Sequence, residues 1–321
     1  MADLDPAPAD QETPGHVPVL LGPVLEYLAF APGQAVLDCT LGRGGHAAAI
    51  IPLIGPGGTY IGLDLDGGNL AFAGAKIEPI AQQSGVELCL LNQSFADANQ
   101  ALKLAGVPRV DRLLADLGFA SNQVNDPARG LSFRRDGPLD MRLDPNGPTT
   151  AADLVNSLQE RDLADLIYRY GEERLSRRIA RKIIALRADS PIHSTVALAE
   201  ICRQAYGPRG RSARIDPATR TFQALRIAVN GELDALDALL GRLPGLLAGD
   251  GLAGIISFHS LEDRPVKRSF LAAERDGRLT RVTRKPVVAD EAEQASNSRS
   301  RSAKLRVAKR IAPEISGGGH K

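Results

Sequence analysis

The sequence predicts an α/β protein: a doubly wound, mostly parallel sheet interrupted by an inserted all-α domain. Two observations carry this. Through residues 16–126, short apolar runs alternate with helical segments, and the runs end in Asp, Asn or a Gly-rich turn. From 127 to 215 that alternation gives way to loop and helical sequence, and after Pro217 a buried-strand pattern returns. The expected organisation is a disordered tail at 1–15, a discontinuous sheet domain at 16–126 and 216–312, a helical substrate-recognition insertion at 127–215, and a second disordered tail at 313–321.

The elements follow in order. A first strand, Ala35 to Cys39, runs into the turn LGRGGH at 41–46, and AAAIIPLI continues as a helix that Gly55 to Gly58 close. Tyr60 to Leu63 make a second strand ending at Asp64, followed by a helix from about Gly68 to Ile80. Val86 to Leu91 form a third strand that ends in Asn92-Gln93-Ser94-Phe95. After another helix, Leu113 to Ala115 form a fourth strand ending at Asp116. Strand–helix units of this length imply right-handed crossovers and parallel pairing. Residues 126–150, rich in Gly, Pro and charge, read as a long functional loop. Thr150 caps helical sequence. Over 172–187, Leu175, Ile179, Ile183 and Leu186 share a stripe, while Arg174, Arg177, Arg178, Arg181 and Lys182 take other faces. Helix resumes over 197–206, and GPRGRSAR at 207–214 reads as a basic link. One long helical pattern then covers TFQALRIAVNGELDALDALLGRL. A buried strand at 254–258, a basic helix at about 261–273 and an alternating final strand at 301–311 complete the sheet.

Composition narrows the class. The 321 residues are 43% hydrophobic and 24% charged, ordinary for a globular protein, with only 4% aromatics and no Trp. No apolar run approaches the roughly 20 residues needed to cross a bilayer, and the acidic start lacks the features of a signal peptide. Cys39, Cys89 and Cys202 form no cluster, so neither a zinc site nor a disulfide framework is indicated; reduced thiols and a cytoplasmic location are expected. The net charge of +1 is uneven: residues 1–126 hold 5 basic and 14 acidic side chains, whereas residues 261–321 hold 15 and 8. A basic middle and end fit a polyanionic partner, or an ordinary charged surface.

In an open parallel sheet, ligands bind beyond the carboxyl ends of the strands. The turn holding Gly44, Gly45 and His46, then Asp64, then Ser94-Phe95, then Asp116 stand at successive ends. The glycines admit a ligand to backbone amides, a carboxylate at Asp64 suits ribose hydroxyls, and Phe95 suits an adenine face. The turn lacks the third glycine of G-x-G-x-x-G, and no GxxxxGK[ST] occurs, so a dinucleotide or a phosphate-loop nucleotide is disfavoured. S-adenosylmethionine carries no phosphate and needs only the shorter turn.

Several long strings then resemble the bacterial 16S rRNA cytosine-N(4)-methyltransferase family: DCTLGRGGH at 38–46, RGLSFRRDGPLDMRLD at 129–144, YGEER at 170–174, PATRTFQALRIAVNGEL at 217–233, ISFHSLEDRPVK at 256–267 and RSAKLRVAKR at 301–310. The resemblance spans about His16 to Arg310. It implies a class I S-adenosylmethionine-dependent methyltransferase fold with an inserted helical domain, and a cytosine amine of the decoding centre as substrate. The partner is then 16S rRNA in the small ribosomal subunit or a late assembly intermediate, bound by a monomer or homodimer. Cofactor contacts map onto Gly44, Gly45, His46, Asp64, Phe95, Asp116 and Gln123. Two places depart from the family: residues 119–122 read Phe-Ala-Ser-Asn in place of Val-Ser-Ser-Pro, and Asp216 replaces a common His.

Methyl transfer from a sulfonium is an in-line displacement that needs positioning and a proton acceptor, not a covalent intermediate. Carbon-5 chemistry would need a cysteine nucleophile, and no cysteine sits at the fourth strand. Asp116 is the candidate catalytic group, activating the amine; its alternative role is to orient the cofactor's amino-acid end. A target base must leave its stack. The 126–144 loop and His259 are candidates to line its pocket, and Arg134, Arg135 and Arg142 to meet phosphates, although Asp136, Asp140 and Asp144 are available to pair with them. The basic stretch from Arg299 to Arg310 reads either as an rRNA grip or as an edge strand protected by charge. No metal site is indicated.

Overall fold

The computed structural model describes residues 18–208 and 215–312. Both predicted tails, residues 16–17 and the 209–214 part of the basic link lie outside the described residues. The sheet has seven strands in the order β3-β2-β1-β4-β5-β7-β6. These are β1 (Ala35–Asp38), β2 (Thr59–Asp64), β3 (Glu87–Asn92), β4 (Val110–Asp116), β5 (Leu247–Ser257), β6 (Leu279–Arg281) and β7 (Lys304–Arg310). The first five pair in parallel, and β7 lies antiparallel between β5 and β6. The order reverses between β1 and β4, so the crevice outside those two strand ends is where a ligand is expected.

Strand alternation builds a core on each face. Leu37, Ile61, Leu113 and Ile255 point to one side, under α4 (Ala98–Leu104), α11 (Glu232–Leu246) and α12 (Ser260–Arg275). Val36, Tyr60, Leu114 and Ile256 point to the other, under α1 (Leu21–Leu28), α2 (Gly45–Ile54) and α3 (Gly67–Ser84). Side chains one residue apart on a strand necessarily face opposite sides.

A third core is all helical. It joins Leu139 and Met141 of the long loop to α6 (Ala151–Ser157), α7 (Glu160–Gly171), α8 (Ser176–Arg187) and α9 (Thr195–Tyr206), and takes Ala218, Phe222 and Leu225 from the segment after the link. Phe222 and Leu225 belong to α10 (Thr219–Asn230), which packs on α7. The helical core therefore reaches past residue 215 into the chain that returns to the sheet. Asp216 serves that return: its carboxylate accepts from Nε and Nη2 of Arg203 at 3.1 and 2.9 Å and from the amide of Ala218 at 2.8 Å.

Two expectations change. The long helical pattern after Pro217 is two helices, because Gly231 adopts a left-handed φ of 59° between α10 and α11. The final strand is not an edge. β7 is flanked on both sides, Arg306 is buried, and its guanidinium pairs with Asp263 at 2.7 and 3.1 Å. Charge there holds α12 to the sheet rather than guarding an exposed rim. Besides these, α5 (Ser121–Asn125) follows β4 and α13 (Glu291–Ser296) precedes β7.

Candidate active site

The turn after β1 is shaped by two glycines. Gly44 caps α2 with a left-handed φ of 71°, and an added Cβ would come within 3.1 Å of Ile77 and 3.3 Å of Ala73. A Cβ on Gly45 would stand 2.7 Å from the ring of Pro18. The turn thus passes closely between α3 and the chain leading into α1, where a side chain would not fit. Asp64, ending β2, holds it there: Oδ2 accepts from the amide of Gly42 at 2.8 Å and Oδ1 from the amide of Asp66 at 2.7 Å. Each carboxylate oxygen keeps a second lone pair for another donor. Burial pushes the Asp64 carboxyl up to about 7, the Gly42 hydrogen bond working against it.

Below this turn, β1 and β4 are laced together. Thr40 Oγ1 accepts from the amide of Asp116 at 2.6 Å, and Asp38, fully buried, accepts from Tyr60 Oη at 2.7 Å and from the amide of Thr40 at 3.0 Å. His46 is buried on the first turn of α2. Its Nε2 lies 3.1 Å from the carbonyl of Val19 and its Nδ1 3.9 Å from Asp116 Oδ2. Asp116 Oδ1 is buried with no hydrogen-bond partner among the described residues. Burial lifts its carboxyl to about 6, and Arg299 pulls it back. An orphaned buried carboxylate oxygen demands a donor, and an ammonium would satisfy it.

Two cavities adjoin here. A narrow one of about 60 Å³ opens at the ends of β1, β3 and β4, touching Thr40, Leu65, Ser94 and Phe95. A wide one of about 680 Å³ lies between the sheet domain and the long loop, touching Phe133, Arg134, Arg135, His259 and Arg299. Leu117, Gly118, Phe119 and Glu262 line both.

The expected residues distribute unevenly. Gly44, Gly45, His46, Asp64 and Asp116 gather around the β1 turn, and Phe95 lines the narrow cavity. Gln123 does not line either cavity: its Nε2 donates to Asp66 at 2.9 Å and its Oε1 accepts from Ala120 at 2.9 Å. Arg134, Arg135 and His259 line the wide cavity. Arg142 does not; its Nε and Nη2 grip Asp140 at 2.8 and 2.7 Å and its Nη1 donates to the carbonyl of Gly147 at 2.9 Å, so it folds the loop. Arg299 donates to the carbonyl of Phe119 and Arg129 to Asp66, tying the loops beside β4 in place.

Sequence reasoning missed the polar group around Glu262. Its Oε2 accepts from the amide of Phe258 at 2.8 Å, while Oε1 lies 3.2 Å from His259 Nε2. That approach is out of hydrogen-bonding alignment, and both ring nitrogens of His259 are buried without a hydrogen-bond partner among the described residues. Glu232, His259 and Glu262 bring ligand-type atoms within 4.8 Å of one another. The positive charge of this cluster is already supplied by Arg226, whose Nε and Nη2 each reach Glu232 at 2.8 Å. The spacing of His259 and Glu262 was a usable signal, since i and i+3 share a helix's first turn. The Arg226–Glu232 pair was not, because Gly231 breaks the helical period between them.

A curated protein from Sorangium cellulosum named ribosomal RNA small subunit methyltransferase H is 46% identical over 96% of this chain and 95% of its own length. Proteins of the same name from a Synechococcus species and from Deinococcus radiodurans are 50% and 48% identical, over 92% and 95% of this chain and 98% and 92% of theirs. Residues 13–311 match the MraW methylase family. With that match covering nearly the whole chain, the protein belongs to the MraW methylase family.

Proposed function

We propose that this protein transfers a methyl group from S-adenosylmethionine to the exocyclic N(4) amine of a cytosine in small-subunit ribosomal RNA. The observation that carries the reading is the pair of adjoining cavities: a slot at the strand ends beside a wide cavity whose walls carry Arg134, Arg135 and Arg299. S-adenosylmethionine, when bound, supplies an electrophilic methyl carbon on a sulfonium. Its expected ligands fit its parts. The free lone pairs of Asp64 suit the ribose hydroxyls and Phe95 the adenine face. The orphaned Oδ1 of Asp116 suits the ammonium, and the turn at Gly44 and Gly45 lets a carboxylate approach backbone amides. Because Asp116 does not line the wide cavity assigned to the base, and its orphaned Oδ1 stands beside the β1 turn, we assign it to orienting the cofactor rather than to activating the amine. Gln123 is assigned to bracing Asp66 beneath the site.

The wide cavity suits a base drawn out of its stack, with Phe133 and Phe258 as apolar walls and the arginines toward phosphate. The helical insertion would then grip the RNA. A covalent carbon-5 route is not supported: Cys39 and Cys202 are buried with thiols pushed well up, and none of the three cysteines lines either cavity. The substrate form is the small ribosomal subunit or a late assembly intermediate in the cytoplasm. No helix among the described residues is long and apolar enough to cross a membrane.

The test offers labelled S-adenosylmethionine with small subunits, naked small-subunit rRNA and duplex DNA, then identifies the modified nucleoside by mass spectrometry. N(4)-methylcytidine in ribosomal RNA is expected. Label in duplex DNA alone, 5-methylcytidine, or cofactor binding with no transfer to any substrate would overturn the reading.

A further inference from the structure

The donor and the target base must meet where the two cavities join. Among the four residues that line both, Leu117, Gly118 and Phe119 offer no ionisable side chain, and Glu262 is the exception. Glu262 sits on the first turn of α12 and is 5% exposed. One of its oxygens is committed to the helix cap. No aligned donor reaches the other, Oε1: the ring of His259 is near but misaligned, and Arg226 is held by Glu232. We propose, building on the methyltransfer reading above, that Glu262 is a catalytic residue: Oε1 receives the target amine's hydrogen bond and then its proton.

The step balances. The amine nitrogen attacks the methyl carbon; the N–C bond forms while the C–S bond breaks and its electron pair stays on sulfur. The nitrogen is then one proton in excess, and that proton passes to Oε1. The positive charge lost at sulfur is thereby taken up by neutralising one carboxylate. The surroundings agree. Burial pushes the Glu262 carboxyl up to about 8, so its carboxylate, the form that accepts, is a strong base whose share grows as pH rises toward that value. Burial and the nearby Arg226 push the His259 ring down to about 4, so it stays neutral and adds no charge beside Glu262. The charged groups facing Glu262 are Arg226 of α10 and Glu232 of α11, with His259 at its own helix cap and Arg299 on the cavity wall.

The amide of Glu262→Gln keeps an oxygen for the Phe258 amide but presents an NH₂ where the carboxylate stood. The first readout needs no cofactor: binding of cytidine and uridine monophosphates to the ligand-free protein. Above about pH 8, where the carboxylate prevails, the wild type should prefer cytidine, whose amine donates, and the variant should lose or invert that preference, since uridine offers a carbonyl at the same place. The second readout is single-turnover transfer to small subunits. Glu262→Gln should slow it by about 100-fold or more with cofactor affinity unchanged, and should abolish the rise in rate with pH expected for the wild type. Glu262→Asp should recover part of the rate. Wild-type rates in Glu262→Gln, or an unchanged nucleotide preference, overturn the assignment. Should Glu262→Gln unfold, a wild-type rate that is flat with pH and no cytidine preference in the wild type overturn it equally. If the wild type methylates nothing, the parent reading fails and this one with it; if it methylates and Glu262→Gln matches it, only this inference fails.

Discussion

At the scale of single residues, the carboxylates at the strand ends do unequal work. Asp64 pins the glycine turn through Gly42 and the next helix entry through Asp66, so it shapes the cofactor site even before a ligand arrives. An asparagine there can accept from one amide at full strength but not both, and it loses the charge-assisted bonds proposed for the ribose. Hydrogen bonds to a charged group contribute about 1.5–3 kcal/mol each. Asp64→Asn is therefore expected to weaken S-adenosylmethionine binding by roughly tenfold to a hundredfold, read by titration calorimetry, while far-ultraviolet circular dichroism stays unchanged. Asp64 was legible in the sequence because a carboxylate about 20 residues after a glycine turn has a known use. Glu262 was not. Its function depends on which two cavities its side chain divides, and no local spacing records that.

At the scale of elements, β7 decides how its basic residues are to be read. It is flanked by β5 and β6, and Arg306 is buried against Asp263, whereas Lys309 reaches an exposed Asp250 at 2.8 Å. Removing one partner of a buried pair strands the other charge and costs about 3–5 kcal/mol; an exposed pair contributes about 0–1 kcal/mol. Arg306→Ala should thus lower the denaturant midpoint strongly and Lys309→Ala hardly at all. If instead Arg306→Ala leaves stability intact and only weakens rRNA binding, the buried pair does not hold α12 to the sheet. The alternating pattern of residues 304–310 marked a strand correctly. Its position inside the sheet came from antiparallel pairing with β5, a contact between segments about 50 residues apart.

At the scale of the whole molecule, the site stores an electrostatic cost. Burial raises Asp116 to about 6, Asp64 to about 7 and Glu262 to about 8. A carboxyl with a folded value above its unfolded one binds more protons folded than unfolded. Stability then falls as pH rises from the ordinary carboxylate range through the folded value, and is flat above it. The paired carboxylates at Asp140, Asp153 and Glu172 are shifted down and act oppositely, but their contribution is complete at lower pH. The melting temperature of the ligand-free protein should therefore decline between about pH 5 and pH 8. Glu262→Gln should flatten the upper part of that decline. A melting temperature that rises across this range would show that these carboxyls are not held protonated by the fold.

The sequence by itself determined the alternation of strands and helices, the glycine turn and the carboxylates at the strand ends. These depend on residues near one another in the chain, where period and turn chemistry act directly. The tertiary structure alone decided that Gly231 splits a helix in two, that α10 completes the helical core, that β7 is interior, that Arg142 and Gln123 are spent on internal partners, and that Glu262 stands between two cavities. Each of those facts concerns what a side chain meets after distant segments pack, and desolvation at that meeting point, rather than residue type, sets its charge and its use.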